Sequence, residues 1–310
     1  MAKTAFLFPG QGSQYAGMGR TLAAEFPAAK AIFDEADRAL GFSLSNLCFE
    51  GPEDQLKLTE NTQPAILTVS TAACAVLKEK GVRPDYVAGH SLGEYSALVA
   101  AGALHFADAV RIVRNRGRYM QEAVPAGVGA MAALLKMPEG MLAGVLEAAA
   151  QGEIVSAANL NSPDQVVIAG HTGAVNRAME LAKAAGARRA VILPVSAPFH
   201  CRLMEPAQRR LAEDLAKTEF ADLTVPLINN WQAREIRSGS EARSGLVEQV
   251  PNPVRWIEIV RHIAGQGVTR WIEVGPGAVL AGLLRNIDST QSPAIKCGEA
   301  ADVAGVLPPH

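Results

Sequence analysis

The chain has 310 residues, a formal net charge of −2 and a pI near 6.3; that length can bury a large core, and the charge balance offers no basic field for nucleic acid. Hydrophobic residues make up 49% and charged residues 19%, a globular composition, and no uncharged apolar run approaches the roughly 18 residues of a membrane helix. Aromatic residues are 5% and alanine is abundant, which favours helix-rich α/β packing over an all-β fold.

In chain order, Ala5–Phe8 is a short apolar run stopped by Pro9-Gly10 and reads as a buried strand. The break comes too early for the apolar core of a signal peptide. Gly10-Gln11-Gly12-Ser13-Gln14 forms a glycine loop, but Tyr15 stands where a dinucleotide fingerprint needs its third glycine. Helical sequence follows to about Leu40, and residues 41–60 read as mixed and loop-rich. Asn61-Thr62-Gln63-Pro64 opens a helix with proline near its first turn, and Gly81 ends it.

Tyr86–Gly89 is then a short strand running into Gly89-His90-Ser91-Leu92-Gly93, the G-x-S-x-G pattern of a nucleophile elbow. Such a turn thrusts its serine out at the end of a sheet, with the N-terminus of the next helix behind the oxygen. A plain strand-to-helix turn is the alternative. The helix Leu92–Gly102 leads to a second one expected from Asp108, a capping residue. On that helix Ala109, Ile112, Val113 and Met120 share one face, and Arg116 falls in the middle of it, while Arg111, Arg114 and Arg118 lie opposite. An arginine on a buried stripe needs an anionic partner, a structural carboxylate, or room to snorkel out.

Residues 127–196 change character. Val128–Leu135, Ile154–Leu160, Gln165–Ala169 and Arg189–Val195 read as strands, with helices Pro138–Ala150 and Thr172–Ala185 between them. This is the βαββαβ, ferredoxin-like order. The expected fold is α/β: a larger hydrolase-like domain (1–126 and 197–310) with a central, mostly parallel sheet, and a small inserted ferredoxin-like domain (127–196). Beyond the insert come a helix around Pro206–Lys217, a strand Val225–Asn230, a polar stretch 234–243, a loop holding Gln249, a helix Val254–Ala264 and a strand ending at Val274. The tail from Asp288 reads as irregular.

Ser91 needs a base to act as a nucleophile at neutral pH. His90 is its neighbour and diverges from it, His105, His171 and His262 read as surface or cap residues, and His310 ends the chain. His200, in a loop beyond a strand end, is the chosen base. Cys201 beside His200 forms a rival pair, but no elbow surrounds it. Cys48, Cys74, Cys201 and Cys297 form no C-x-x-C pair, so neither a zinc site nor a disulfide framework is expected, and the compartment reads as reducing and cytoplasmic. No carboxylate stands out as the third member of a triad, and no metal motif appears.

Phe8–Gln14, Asn61–Ala65, Gly89–Glu94, Arg116-Gly117, Ala157–Pro163 and Pro198-Phe199-His200, with Gln249 and Asn252-Pro253-Val254, occur in order. Together they resemble the malonyl-CoA:acyl-carrier-protein transacylase family of fatty-acid synthesis, from residue 4 to about 287. The resemblance implies that Ser91 carries the acyl group as an ester, that His200 is the base, and that the backbone carbonyl of Gln249 orients it. It implies an oxyanion hole from the backbone N–H groups of Gln11 and Leu92, and a bidentate pairing of Arg116 with the malonyl carboxylate. Gln63, Met120 and Phe199 would line the substrate, with Phe199 crowding an α-methyl branch. The implied partners are malonyl-CoA and acyl carrier protein, with no cofactor; no metal, nucleic acid or membrane partner is expected, and the chain is expected to act as a monomer. Arg188, Arg189, Arg202, Arg209 and Arg210 are candidates for docking the acidic carrier. A serine thioesterase, an acyltransferase of broader specificity for polyketide synthesis and a non-catalytic carrier-binding subunit are the alternatives.

Overall fold

The N-terminal apolar run forms β1 (Lys3–Phe8), buried from Thr4 onward. The computed structural model describes residues 3–195, 197–291 and 293–307; Ser196, at the expected domain edge, and His310 lie outside them. After β1 come α1 (Arg20–Glu25) and α2 (Pro27–Leu40). The stretch expected to be loop-rich is instead two short helices, α3 (Leu44–Glu50) and α4 (Glu53–Leu56). Ser43 accepts the Asn46 N–H at 3.3 Å and so caps α3, a local signal the composition of 41–60 hides. Next, α5 (Thr59–Glu79) starts before Asn61, which puts Pro64 inside the helix rather than in its opening turn. Then follow β2 (Tyr86–Gly89), α6 (Gly93–Ala100) and α7 (Phe106–Glu122). The N-cap of α7 is His105, not Asp108. Asp108 lies in the first turn, where its carboxylate meets the positive helix end and pairs with Arg111 at 3.4 Å.

The insert contains β3 (Gly129–Leu135), α8 (Met141–Ala150), β4 (Val155–Ser162), β5 (Gln165–His171), α9 (Thr172–Ala184) and β6 (Arg189–Ile192). Its strands form an antiparallel sheet in the order β4-β5-β3-β6, the ferredoxin-like arrangement. β6 ends three residues before Val195, and Asn161 and Ser162 belong to β4 rather than to a turn.

The remainder supplies α10 (Glu205–Ala216), β7 (Leu227–Ile228), β8 (Glu235–Ile236), α11 (Gly239–Gln249), α12 (Trp256–Gly265), β9 (Val268–Val274) and α13 (Val279–Ile287). The polar stretch therefore holds a strand and a helix, α11, which Ser238 caps by accepting the Glu241 N–H. The tail is not irregular either. It adds β10 (Ile295–Cys297) to the sheet and closes with α14 (Ala300–Val306), whose capping box pairs Glu299 with Asp302.

The large sheet runs β10-β9-β1-β2-β7-β8, parallel except for β8. β1 and β2 are adjacent, with Phe8 opposite Gly89 at their carboxyl ends. Loops leaving adjacent parallel strands at that end form the ligand crevice of open α/β sheets. The insert covers this end. The Leu160 N–H donates to the Val254 carbonyl and the Val254 N–H to the Ala158 carbonyl, both at 2.9 Å. Met131, Ala133, Ala158, Val167 and Ala169 of its sheet share one apolar core with α5, α6 and α7. No helix among the described residues is long and apolar enough to cross a membrane.

Candidate active site

β2 delivers Ser91 at the elbow with φ of +52°. For a non-glycine residue that conformation costs roughly 1–2 kcal/mol, so the surroundings have to hold it. Two side chains do so. The Ser91 N–H donates to Asn230 Oδ1 at 2.7 Å, and Gln249 Nε2 donates to the Ser91 carbonyl at 2.9 Å. The flanking glycines let strand and helix close. A Cβ on Gly89 would sit 1.9 Å from the Gly93 carbonyl, and one on Gly93 would sit 2.0 Å from the Phe8 oxygen.

Ser91 Oγ lies 2.7 Å from His200 Nε2. On the other side of the ring, Nδ1 lies 3.0 Å from the Gln249 carbonyl. A carbonyl can only accept, so Nδ1 carries the proton and Nε2 is left to accept from the serine hydroxyl. Gln249 is the last residue of α11, where helix carbonyls lack intrahelical partners, so its oxygen is available. His200 is 3% exposed, and burial, reinforced by the Arg116 charge, lowers its pKa from 6.5 to about 3. It is therefore neutral at physiological pH.

Arg116 reaches the same oxygen from α7 and is 2% exposed. Its Nη2 donates to Ser91 Oγ at 3.2 Å and to Gln249 Oε1 at 3.0 Å, and Nη1 donates to Gln63 Oε1 at 2.7 Å. The Tyr95 ring lies 5.6 Å from the guanidinium carbon. These hydrogen-bond partners are uncharged, and Nε has none among the described residues. The buried Glu94 carboxyl acts on this charge without touching it, and a guanidinium whose direct partners are neutral leaves a site for an anion.

The cavity in front of Ser91 holds about 120 Å³. That is far below the ~300–1,000 Å³ of sites for drug-sized ligands, so an acyl group fits inside and a bulky carrier of that group stays outside. Gln11, Gln63, Leu92, Arg116, Met120, Phe199 and His200 all line it. Gln63 Nε2 lies 4.0 Å from Met120 Sδ. None of the described hydrogen bonds uses the backbone N–H of Gln11 or Leu92. Met131, Asn159, Leu193 and Val195 of the insert close the remaining wall. Sequence reasoning missed these, because ordinary apolar strand residues carry no local mark of a pocket. It also missed the side chains of Glu94, Asn230 and Gln249.

The competing candidates stay outside the Ser91–His200 pair, although His90 lines the cavity. Cys201 Sγ donates to the Pro198 carbonyl at 3.1 Å, and burial pushes its thiol up to about 11, which suppresses the thiolate. His90 Nε2 bonds Asn161 Oδ1 at 2.8 Å, its ring edge on to Trp256. His171 accepts the Ile154 N–H, and His105 stands at the N-cap position of α7 without a side-chain cap bond. Arg188 and Arg189 are exposed beside Lys136 at a surface depression, whereas Arg210 pairs with Glu122 at 2.5 Å and Arg202 with Glu205 at 3.5 Å.

A serine in the elbow, a neutral histidine and a buried arginine form a site for transferring an anionic acyl group. Comparison with known proteins agrees. The family model for the acyl transferase domain matches residues 5–308. The malonyl CoA-acyl carrier protein transacylase of Bacillus subtilis is 51% identical over 289 residues, 93% of this chain and 91% of that protein. The crystal structure of an acyl carrier protein S-malonyltransferase from Vibrio cholerae superposes with a TM-score of 0.96 at 45% identity, covering 99% of this chain and all of the other. A malonyl-transacylase in complex with its type II polyketide synthase acyl-carrier protein gives 0.96 at 46% identity, covering 99% of each chain. The protein is an acyltransferase and belongs to the family of malonyl CoA-acyl carrier protein transacylases.

Proposed function

We propose that this enzyme moves malonyl from malonyl-CoA to the phosphopantetheine thiol of acyl carrier protein through a malonyl ester on Ser91. The observation that carries the reading is the buried Arg116, bonded to neutral partners and reaching to within 3.2 Å of the nucleophile. In the first half-reaction His200 Nε2 takes the Ser91 proton as Oγ attacks the thioester carbon. The oxyanion forms against the backbone N–H groups of Gln11 and Leu92, a contribution of about 10²–10³ in rate per donor. The C–S bond breaks, and the CoA sulfur leaves with the proton from His200. In the second half-reaction His200 takes the carrier thiol's proton, the sulfur attacks the ester, and the proton returns to Oγ.

Arg116 links recognition to catalysis. Its charge is one of the causes holding His200 weakly basic. A malonyl carboxylate paired with Arg116 neutralises that charge, so the base strengthens once the correct acyl group is seated. The Gln249 carbonyl steadies the imidazolium during transfer. Phe199, 9% exposed on the cavity wall, would crowd an α-methyl branch.

The carrier belongs to the proposal as well. One neighbour structure holds a carrier protein, and the exposed Arg188 and Arg189 offer charge for an acidic one. A monomeric state is part of the proposal, and the four free thiols suit the cytoplasm. The reaction as written calls on no cofactor.

The test is intact-protein mass after mixing with malonyl-, methylmalonyl- and acetyl-CoA, then chase with carrier thiol or buffer alone. Malonyl is expected to load first and to leave faster to the carrier than to water, and Ser91→Ala should abolish loading. Faster loss to water would make the protein a thioesterase, and no gain of mass would make it a binding subunit. Carriers from fatty-acid and polyketide systems compared in the chase decide the pathway, for which fatty-acid synthesis is the expected one.

A further inference from the structure

We propose that Glu94 is a positioning residue. By presenting an acceptor, it fixes which end of the Gln249 amide faces Arg116, and so aims the guanidinium at the carboxylate of the acyl group. The inference rests on the malonyl reading of the site.

Glu94 stands in the first turn of α6 and is 1% exposed. Its Oε2 receives two donors, the Asn230 backbone N–H at 3.1 Å and Gln249 Nε2 at 2.8 Å. Gln249 Nε2 also donates to the Ser91 carbonyl, at 2.9 Å, while Oε1 accepts from Arg116 Nη2. The amide thus has a direction. Its N–H₂ end faces three oxygens, Glu94 Oε2, the Ser91 carbonyl and Asn230 Oδ1, the last at 3.3 Å, and its oxygen meets a guanidinium that can only donate. Turned by half a rotation, it would set oxygen against the Glu94 and Ser91 oxygens and N–H₂ against Arg116. Each reversed contact would leave a buried polar group unpaired.

The same residue therefore ties three functions to one acceptor. Gln249 holds the Ser91 carbonyl with its amide nitrogen, Arg116 with its amide oxygen and His200 with its backbone carbonyl. Asn230, whose N–H ends on Glu94, holds the Ser91 N–H with Oδ1 and the Gly89 carbonyl with Nδ2. Glu94 touches neither the nucleophile nor the acyl cavity among the described contacts, so its hydrogen bonds act through these two residues, while its charge also reaches Arg116.

The readout is the ratio of malonyl to acetyl loading on Ser91, measured by intact mass under single-turnover conditions. Glu94→Met removes the acceptor at similar volume and should lower that ratio by about tenfold or more, the scale of one misdirected charge-assisted hydrogen bond. Glu94→Gln keeps an oxygen where both donors converge and should restore the ratio to within about twofold. A merely structural Glu94 would lower both loading rates or the melting temperature and leave the ratio intact, which would overturn the proposal. Equal losses in both variants would overturn it too, by making charge rather than acceptor geometry the cause. Should Glu94→Met not fold, Gln249→Met carries the test: a tenfold fall supports the proposal and an unchanged ratio overturns it. A wild-type protein that loads no malonyl, or shows no preference over acetyl, defeats the functional reading itself, whatever the variants do.

Discussion

At Arg116 the proposed selection of an acyl group rests on one buried charge in the cavity wall. Replacing it with alanine should lower malonyl loading by about 10- to 150-fold, the worth of one charge-assisted hydrogen bond, and acetyl loading far less. Unchanged selectivity would remove Arg116 from the carboxylate role. The residue also sets the pH behaviour of its neighbour. With His200 lowered to about 3, kcat/KM for loading should hold nearly flat as pH falls from about 7.5 to about 5.5. Arg116→Ala should move that acid limb upward, since one cause of the depression is gone. Stability follows the same displacement. Between its ordinary 6.5 and about 3, His200 is protonated when unfolded and neutral when folded, so its contribution to stability is lost as pH falls through that window. Glu94, raised from 4.5 to about 7 by burial, acts with the opposite sign, its contribution being lost as pH rises through that range. Melting temperatures against pH for His200→Gln should show a shallower acid fall than wild type.

Among the elements, the elbow is the one in which sequence and packing say the same thing. Its glycines are required by backbone contact, not merely by turn conformation. Gly89→Ala should cost about 3 kcal/mol or more, because the atoms a Cβ would meet are the backbone of Gly93 and cannot swing aside. A melting temperature within a degree or two of wild type would refute that packing account. The helix α11 is the opposite case. Gly239-Ser240-Glu241-Ala242-Arg243-Ser244-Gly245 has no apolar stripe and two weak helix formers, so neither propensity nor pattern marks it. Its cap and its burial against the core hold it, and its C-terminus supplies the carbonyl that orients His200. The tail escaped for the same reason: β10 gains its place by pairing with β9, a contact that three residues of sequence do not announce.

At the scale of the molecule, the insert forms part of the site. Met131, Asn159, Leu193 and Val195 shut the cavity, while Arg188 and Arg189 look outward from the same small sheet. On the proposed function, this division would let one element wall the acyl group and meet its carrier. Reversing both charges, Arg188→Glu with Arg189→Glu, should raise KM for the carrier protein several-fold or more and leave KM for malonyl-CoA unchanged. Equal effects on both substrates would argue for a fault in folding instead.

Much of the chemistry was local enough to read in the chain. An elbow is a five-residue pattern, Arg116 betrays itself by falling on an apolar helical face, and the βαββαβ insert shows in its alternating runs. The family resemblance then supplied the role of the Gln249 carbonyl, which no side-chain rule could suggest, since a backbone oxygen looks alike at every position. The tertiary structure decided the rest. It placed His200, 109 positions away from Ser91, at 2.7 Å from the serine oxygen. It also set Glu94, Asn230 and Gln249 beneath the elbow as one network. Sequence determines what each residue can donate, accept or bury; only the fold brings together distant groups whose donors and acceptors must match in the absence of water.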